Sequence, residues 1–366
     1  MGEVFRFFFQ LGIIAFGGPA AHIALMRDEL VDKKKWMTDE EFLDYMGITN
    51  LVPGPNSTEM TMHCGHHRAG VGGLFTAGAA FIFPAVVITL LVAYFFEQVS
   101  AIDWVVPIIN GIKAAVISFI IGAIIKLGKK SLKNNLLIIP GLAVLVASFF
   151  GVNEIICILT AGLIWMLAKI LKPEQLTGSY IMLPLFSMAI APNEYLKMFL
   201  IFLKVGAVLF GSGYVLFAYL DGELIDKLGW LTHSDLAEAI AIGQITPGPV
   251  LSTSTFIGYK LAGFQGALLS TLGIFLPSFF YILLLSKYLD KIKSNKYLKY
   301  FLEAVNVAAV AVMIAVSYRL VESIVVDWRT ALIAIISFGV YFYFKKLNAL
   351  WIIFGGAVAG YLLSFV

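Results

Sequence analysis

Charge is scarce in this 366-residue chain: Asp, Glu, Lys and Arg together make up 13% of it, about half of the quarter typical of soluble domains. Hydrophobic side chains make up 60%, including 30 Phe, and the mean hydropathy is +0.90. That excess is too large for one water-soluble core, and the bilayer is its natural solvent. Cysteine is equally sparse. Cys64 and Cys157 lie in different segments and give neither a disulfide framework nor a paired metal-ligand spacing. A net charge of +3, scattered between apolar runs, excludes a nucleic-acid-binding surface. A phosphate-loop lysine motif is also missing, so ATP is not the evident energy source and no cofactor is implied.

What is there is an all-α polytopic pattern. A membrane helix needs about 20 mostly apolar residues, because its backbone must be hydrogen-bonded within the segment. Ten such runs are expected, near residues 4–26, 72–97, 104–126, 134–150 and 152–170, then 196–220, 264–287, 300–320, 328–344 and 347–366. Between the first and second run of each set lies a more polar stretch interrupted by Pro-Gly-Pro, at Pro53-Gly54-Pro55 and Pro247-Gly248-Pro249.

Sliding the chain along itself by 194 residues places Phe16-Gly17 on Phe210-Gly211, Glu29-Leu30 on Glu223-Leu224, Trp36 on Trp230 and one Pro-Gly-Pro on the other. A shift of 193 then carries Gly65 onto Gly258, Gly70 onto Gly263 and Pro84 onto Pro277. The chain reads as a duplicated unit, residues 1–172 and 196–366, joined by 173–195. The internal copy also argues against a removable leader at the N-terminus. Five crossings per copy is an odd number, so the second copy is expected to enter the membrane from the opposite side. Most of the 26 basic residues fall on one side if the loops 27–37, 66–71, 126–133, 169–197, 287–299 and 345–346 share it. The positive-inside rule makes that side cytoplasmic, in a cell membrane, with both termini outside. Inverted repeats of this kind are the pattern of secondary transporters, whose site lies near the midplane.

Pro-Gly-Pro in an apolar setting ends one helix and starts another, so each copy is expected to hold a re-entrant helical hairpin. The free N–H groups at the start of a half-helix carry about +0.5 of a charge and attract anions. Two such starts would converge on a substrate site made of Pro53, Gly54, Pro55 and Pro247, Gly248, Pro249. Asn50, Asn56, Ser57 and Thr58 would donate hydrogen bonds on one side, and Gln244, Thr246, Ser252 and Thr253 on the other. Capping alone would account for one such turn. Two symmetry-related turns favour a lined cavity, because breaking a membrane helix twice is otherwise costly. Gly17, Gly18 and Gly211 mark a second break, open to close packing or to exposure of backbone to a ligand.

Among the ionisable groups, Lys204 and Lys113 lie within apolar runs. Either one neutralises a bound anion, or Lys204 snorkels to the interface and Lys113 pairs with Glu59. Glu59 and His22 are the candidate proton carriers. Arg68 and Lys260 are candidate anion guides at the two entrances. His63, His66 and His67 invite a metal reading, but no further ligands accompany them, and solvated histidines at the surface are the plainer interpretation. A membrane enzyme or metal-responsive protein built on these histidines is the alternative of another class.

The residues now quoted carry a resemblance. Phe16-Gly17-Gly18-Pro19 with His22, then Glu29, Trp36, Asn50, the stretch from Pro53 to Glu59, and Gly65 through Gly70 to Phe83-Pro84 are similar to the first-half signature of the chromate ion transporter family. Phe210-Gly211, Gln244, Pro247-Gly248-Pro249, Gly258 and Pro277 repeat it. His66-His67 departs from the aromatic-basic pair expected there. The resemblance implies a two-domain form that exports chromate by alternating access, using the proton gradient, with sulfate as competitor. The expected partners are the oxyanion and membrane lipid, and a second copy of the chain is a candidate partner. Uptake or channel conduction of sulfate or another anion is the alternative within transport.

Overall fold

The computed structural model describes residues 1–16, 18–170, 193–211, 213–286, 295–344 and 347–366, and among them every regular element is helical. In chain order these are α1 (Gly2–Ile14), α2 (Pro19–Arg27), α3 (Asp39–Thr49), α4 (Asn56–Val99), α5 (Val106–Ser131), α6 (Ile138–Phe149) and α7 (Glu154–Ile170). The second half holds α8 (Glu194–Val208), α9 (Val215–Leu220), α10 (His233–Ile245), α11 (Thr253–Leu285), α12 (Lys296–Ile324), α13 (Trp328–Tyr343) and α14 (Ala349–Leu363). Gly17 and most of the expected connecting segment lie outside the described residues.

Among the described residues four helical stretches are long and apolar enough to cross a bilayer: Asn56–Val99, Val106–Ser131, Val250–Leu284 and Lys296–Ile324. Asn135–Phe149, Trp328–Tyr343 and Ala349–Leu363 are shorter apolar helices. Along α11, Phe264, Leu268, Leu272, Leu276, Phe280 and Leu284 are all exposed. Their four-residue spacing makes one apolar stripe on a helix surface, the face expected to meet lipid in a multi-pass membrane protein.

The first run of each half does not form one crossing. Gly18 (φ +80) precedes Pro19 at the start of α2, and Gly211 has φ +99. At each break the chain turns back on itself. His22 Nε2 donates to the Ala15 carbonyl at 3.0 Å, Trp36 packs edge-on to Phe7, and Lys34 reaches Glu3 at 3.7 Å. In the second half the Tyr219 hydroxyl donates to the Val208 carbonyl at 3.0 Å, Lys204 meets Glu223, and Lys197 lies over the Trp230 ring. The expected spans at 4–26 and 196–220 are thus pairs of short helices. The 13 residues of α1 reach only about 20 Å at 1.5 Å per residue, short of the ~30 Å hydrocarbon core.

Glu3 pairs with both Lys34 and Arg68 (3.7 and 3.3 Å), which brings the start of α1 beside the loop 27–37.

Both Pro-Gly-Pro stretches separate two helices. Thr38 opens α3 and Thr232 opens α10, each with a capping box, to Glu41 and Asp235. This Thr-x-x-acid pattern satisfies two otherwise orphaned amides. α3 ends at Thr49 and α4 begins at Asn56. Tyr45 stacks on His63, and Asn56 Nδ2 donates to Asn50 Oδ1 at 2.9 Å, so the start of α4 lies alongside α3. α4 then breaks at Ala69 (φ −147°) and Gly70 (φ 62°), and α11 breaks at Ala262 and Gly263 (φ 58°). Past each break the chain folds back so tightly that Gly65 touches Gly73 and Gly258 touches Gly266, where any side chain would collide with backbone.

Candidate functional site

Four chain breaks meet inside the protein. The Gly54 N–H donates to the Leu209 carbonyl at 2.7 Å, and the Gly248 N–H donates to the Ala15 carbonyl at 3.0 Å. Each Pro-Gly-Pro turn therefore docks on the broken first helix of the other half. Gly54 (φ +143) and Gly248 (φ +88) occupy backbone that L side chains rarely adopt. Both central amides are committed to protein carbonyls, so the anion-attracting donors expected there are reduced to the first amides of the following helices. Pro55 and Pro249 stand just before those helices, where a missing N–H does no harm. Pro53 and Pro247 complete the two turns.

Around the turns lie buried polar atoms without hydrogen-bond partners: His22 Nδ1, Thr58 Oγ1, both Glu59 carboxylate oxygens, Gln244 Nε2, Ser252 Oγ and Ser278 Oγ. A buried polar group left unpaired costs about 1–3 kcal/mol, and this collection is the candidate site. Because a carbonyl can only accept, His22 carries its proton on Nε2, leaving Nδ1 as an unused acceptor. Gln244 sits beside the Tyr214 hydroxyl, which also lies 3.5 Å from where a side chain on Gly18 would begin. Ser57 is buried in the same helical turn as Thr58.

Other expected donors are occupied. The Thr246 hydroxyl donates to the Ile242 carbonyl and the Thr253 hydroxyl to the Val250 carbonyl, both at 2.7 Å, which spends each proton on the chain's own preceding turn. Asn50 is exposed and accepts from Asn56 and from Lys130 Nζ at 3.2 Å, which places a cation at the edge of the first turn. Gly211 lies at the break beside Asn306.

Neither span lysine reaches the turns. Lys113 contacts Ser234 at 3.0 Å and Glu238 at 3.5 Å, so the alternative pairing with Glu59 is not formed. Lys204 is held by Glu223 at 2.5 Å, and the same carboxylate is reached by Lys227 and Asn153. Burial works against ionisation of Glu223, but the hydrogen bond from Lys204 and the lysine charges hold its carboxyl below the usual range. Arg68 lies over the Trp36 ring and pairs with Glu3. Lys260 pairs with Asp235 and with Glu238. Both entrance candidates are thus tied to acids.

His63 stacks on Tyr45, whose hydroxyl lies 3.2 Å from His67 Nδ1. Among the described residues the three histidines form no shared ligand set. The grouping close enough to hold an ion is Asp221, Asp226 and His233, yet Arg319 reaches Asp221 at 2.5 Å and Asp226 at 3.1 Å, supplying the positive charge itself. Burial pushes Asp221 up to about 7, against the opposing pull of Arg319. A small cavity beside Tyr214, Phe217, Ile240 and Met313 is apolar apart from Ser317, which suits no oxyanion.

Sequence reasoning missed Ser278, Lys130 and the Arg319 network. Ser278 had a usable signal: it follows Pro277, the match of Pro84, as a lone hydroxyl in an apolar run. Arg319 had none, since its acids come from two distant segments, Glu154 from one and Asp221 with Asp226 from the other.

The family model described as Chromate transporter matches residues 2–166 and 196–361. Among similar proteins, the chromate transport protein of Cupriavidus metallidurans is 30% identical over 98% of this chain and 92% of its own length. The probable chromate transport protein of Synechococcus elongatus is 28% identical over 92% of this chain and 88% of its own. An uncharacterized transporter of Methanocaldococcus jannaschii is 29% identical over 99% of this chain and 94% of its own. No solved structure matches. With both halves covered by the same family model, the chain belongs to the chromate transporter family, a family of membrane transporters and not of enzymes.

Proposed function

We propose that this protein is a secondary transporter that moves chromate, a tetrahedral divalent oxyanion, out of the cell by alternating access, with proton coupling through Glu59. The observation that carries this reading is the reciprocal docking of the two Pro-Gly-Pro turns, Gly54 on Leu209 and Gly248 on Ala15. Donor and acceptor are related by the same 194-residue offset in both contacts, so the two halves meet through equivalent parts. A two-fold arrangement of broken helices at one centre is how transporters place a site that can face either side.

In this reading residues 1–172 and 196–366 are inverted repeats and each Pro-Gly-Pro pair of helices is re-entrant. Phe75 stacks on Phe279 while Phe96 packs on Phe256, the pattern expected of oppositely directed copies. The lysine-rich face that carries the loops 27–37, 66–71 and 126–133 is cytoplasmic, in the cell membrane, and Lys197, which lies over Trp230, is on the other face with Lys227. The first amides of α4, with Ser57, Thr58 and Ser252, replace part of the anion's hydration shell. His22 is a second candidate proton carrier.

An inside-negative potential favours outward movement of a dianion by about 2.3 kcal/mol per charge per 100 mV. Flux of chromate and of sulfate in proteoliposomes, with and without a pH gradient, tests the proposal. Chromate flux that responds to the gradient and is weakened by Ser57→Ala with Ser252→Ala is expected. Sulfate carried in preference to chromate, or flux that ignores both serines, would overturn the assignment.

A further inference from the structure

We propose that Ser278 is the positioning residue for Glu59, a hydroxyl supplied by the second half to the acid of the first, and that the proton site is an inter-half contact present once instead of twice. This inference rests on the proton-coupled reading above.

The two groups face the same side of Gly54. A methyl placed on that glycine would collide with the Glu59 carboxyl and would lie 2.7 Å from Ser278 Oγ. Both side chains are fully buried, and neither the two carboxylate oxygens nor the hydroxyl has a hydrogen-bond partner. A helical serine ordinarily bonds back to a carbonyl one turn earlier. Ser118, Ser270, Ser286 and Ser317 all do so here, to Ala115, Ala267, Leu283 and Met313. Ser278 does not. Its hydroxyl is left for a group outside its own helix, and the Glu59 carboxyl is the acceptor beside it.

The equivalent place in the other half is built differently. The internal repeat sets Thr253 on Glu59 and Ala85 on Ser278. A methyl on Gly248 would meet the Ala85 Cβ at 2.8 Å and the Gly12 carbonyl at 3.2 Å, and Thr253 spends its hydroxyl on the Val250 carbonyl. The positions that match Glu59 and Ser278 thus hold neither an acid nor a free hydroxyl. The two turns are alike in backbone and unlike in chemistry. Other titratable groups near Glu59 are Tyr281 on α11, which donates to the Ala207 carbonyl at 2.9 Å, and His63 one turn along α4, stacked on Tyr45. Neither supplies a hydrogen bond to the carboxylate.

The consequence is mechanical. Glu59 rides on the half-helix that follows the first turn, and Ser278 on the long helix of the second half. A hydroxyl that donates to a carboxylate favours its charged form, so bringing Ser278 close helps Glu59 release its proton and drawing it away helps Glu59 keep one. By reciprocity, protonation biases the relative position of the halves.

The test measures chromate flux across pH in proteoliposomes for wild type, Ser278→Ala, Ala85→Ser, Glu59→Gln and the double variant Ser278→Ala with Glu59→Gln. Ser278→Ala is expected to move the flux midpoint up by about one pH unit, Ala85→Ser to leave it in place, and the double variant to match Glu59→Gln. Infrared difference spectra of the protonated carboxyl band, read on purified protein carrying Asp221→Asn, give the same titration without transport: the Glu59 component of the band should be missing after Glu59→Gln and titrate at higher pH after Ser278→Ala. A wild-type midpoint in Ser278→Ala, or an equal shift in Ala85→Ser, would overturn the inference while leaving proton coupling intact. Wild-type flux independent of pH would remove the coupled reading, and this inference with it.

Discussion

Gly54 donates its backbone N–H to the carbonyl of Leu209 at 2.7 Å, across 155 residues of chain. The contact exists because a Pro-Gly-Pro turn cannot continue a helix and a broken α8 leaves its last carbonyls without partners. Its mate, Gly248 on Ala15, repeats the solution. Two breaks that would each be costly in lipid satisfy each other, and the protein gains an interior built from helix ends.

Substitution of Gly54 should therefore be far more damaging than substitution of another glycine with similar backbone. Gly54→Ala would put a methyl against Glu59 and Ser278 in a sparsely populated backbone region that strains L residues by about 1–3 kcal/mol. Gly70→Ala carries comparable backbone strain, but nothing lies within 4 Å. The expected result is a loss of flux of at least tenfold for Gly54→Ala, with a lower unfolding temperature in detergent, and near-normal flux for Gly70→Ala. Equal behaviour of the two would deny the turn its packed surroundings.

A second prediction concerns the ion pairs between halves. Glu238 on α10 is reached by Lys113 from α5 at 3.5 Å and by Lys260 at 2.7 Å, with little of it exposed. Removing the acid leaves one lysine paired with Asp235 and strands the other in a mostly apolar helix. Removing Lys113 leaves the acid still paired. Glu238→Ala should destabilise the protein more than Lys113→Ala, by about 1–3 kcal/mol. The double variant should cost less than the sum of the two. Thermal unfolding of the three variants in one detergent reads this cycle, and strict additivity would show that Lys113 and Glu238 do not interact.

How much of this was legible beforehand differs from residue to residue. Pro-Gly-Pro, the matched glycines and the capping pattern at Thr38 and Thr232 are local signals, and local physics decides them. The reversal at Gly18 and Gly211 was visible only as a break, because hydrophobicity does not distinguish a helix that crosses from two that fold back. Trp36 packing on Phe7, and Lys34 with Arg68 on Glu3, settle the direction, and these contacts join residues about 30 to 65 apart. The partner of Lys113 was hidden for a similar reason: Glu238 is 125 residues away, in the other half.

The Asp221 cluster gives a stability prediction with a definite sign. Burial raises the acid from its ordinary value of 3.8 to about 7, with Asp226 and Glu154 adding to the rise and Arg319 opposing it. The folded protein then holds a proton that the unfolded chain releases from about pH 4 upward. Stability from this group is present below pH 4 and is lost as pH rises towards 7. His233, 3.1 Å from Asp221, is itself shifted down by burial and then by Arg319, so in acid it works in the opposite direction. Asp221→Asn should flatten the decline between pH 5 and 7, gaining on wild type as pH rises. Parallel unfolding profiles for the two proteins would show that Asp221 does not titrate in that window.

The last prediction separates the folded-back first helices from the continuous crossings that hydrophobicity alone suggests. Continuous crossings would place Glu3 and Lys34 on opposite faces of the membrane, whereas their contact at 3.7 Å puts them on one. Both residues are exposed enough to accept a cysteine, and surface pairs of this kind are worth no more than about 1 kcal/mol, so replacement should leave the fold intact. The native Cys64 and Cys157 are buried and should give little background with a membrane-impermeant thiol reagent. In right-side-out and inverted vesicles, Glu3→Cys and Lys34→Cys should be labelled from the same side. Lys227→Cys, the inverted counterpart of the lysine cluster at 33–35, should be labelled from the other. Labelling of Glu3→Cys together with Lys227→Cys would restore a single crossing in the first segment, and labelling of Lys34→Cys together with Lys227→Cys would end the inversion of the two halves.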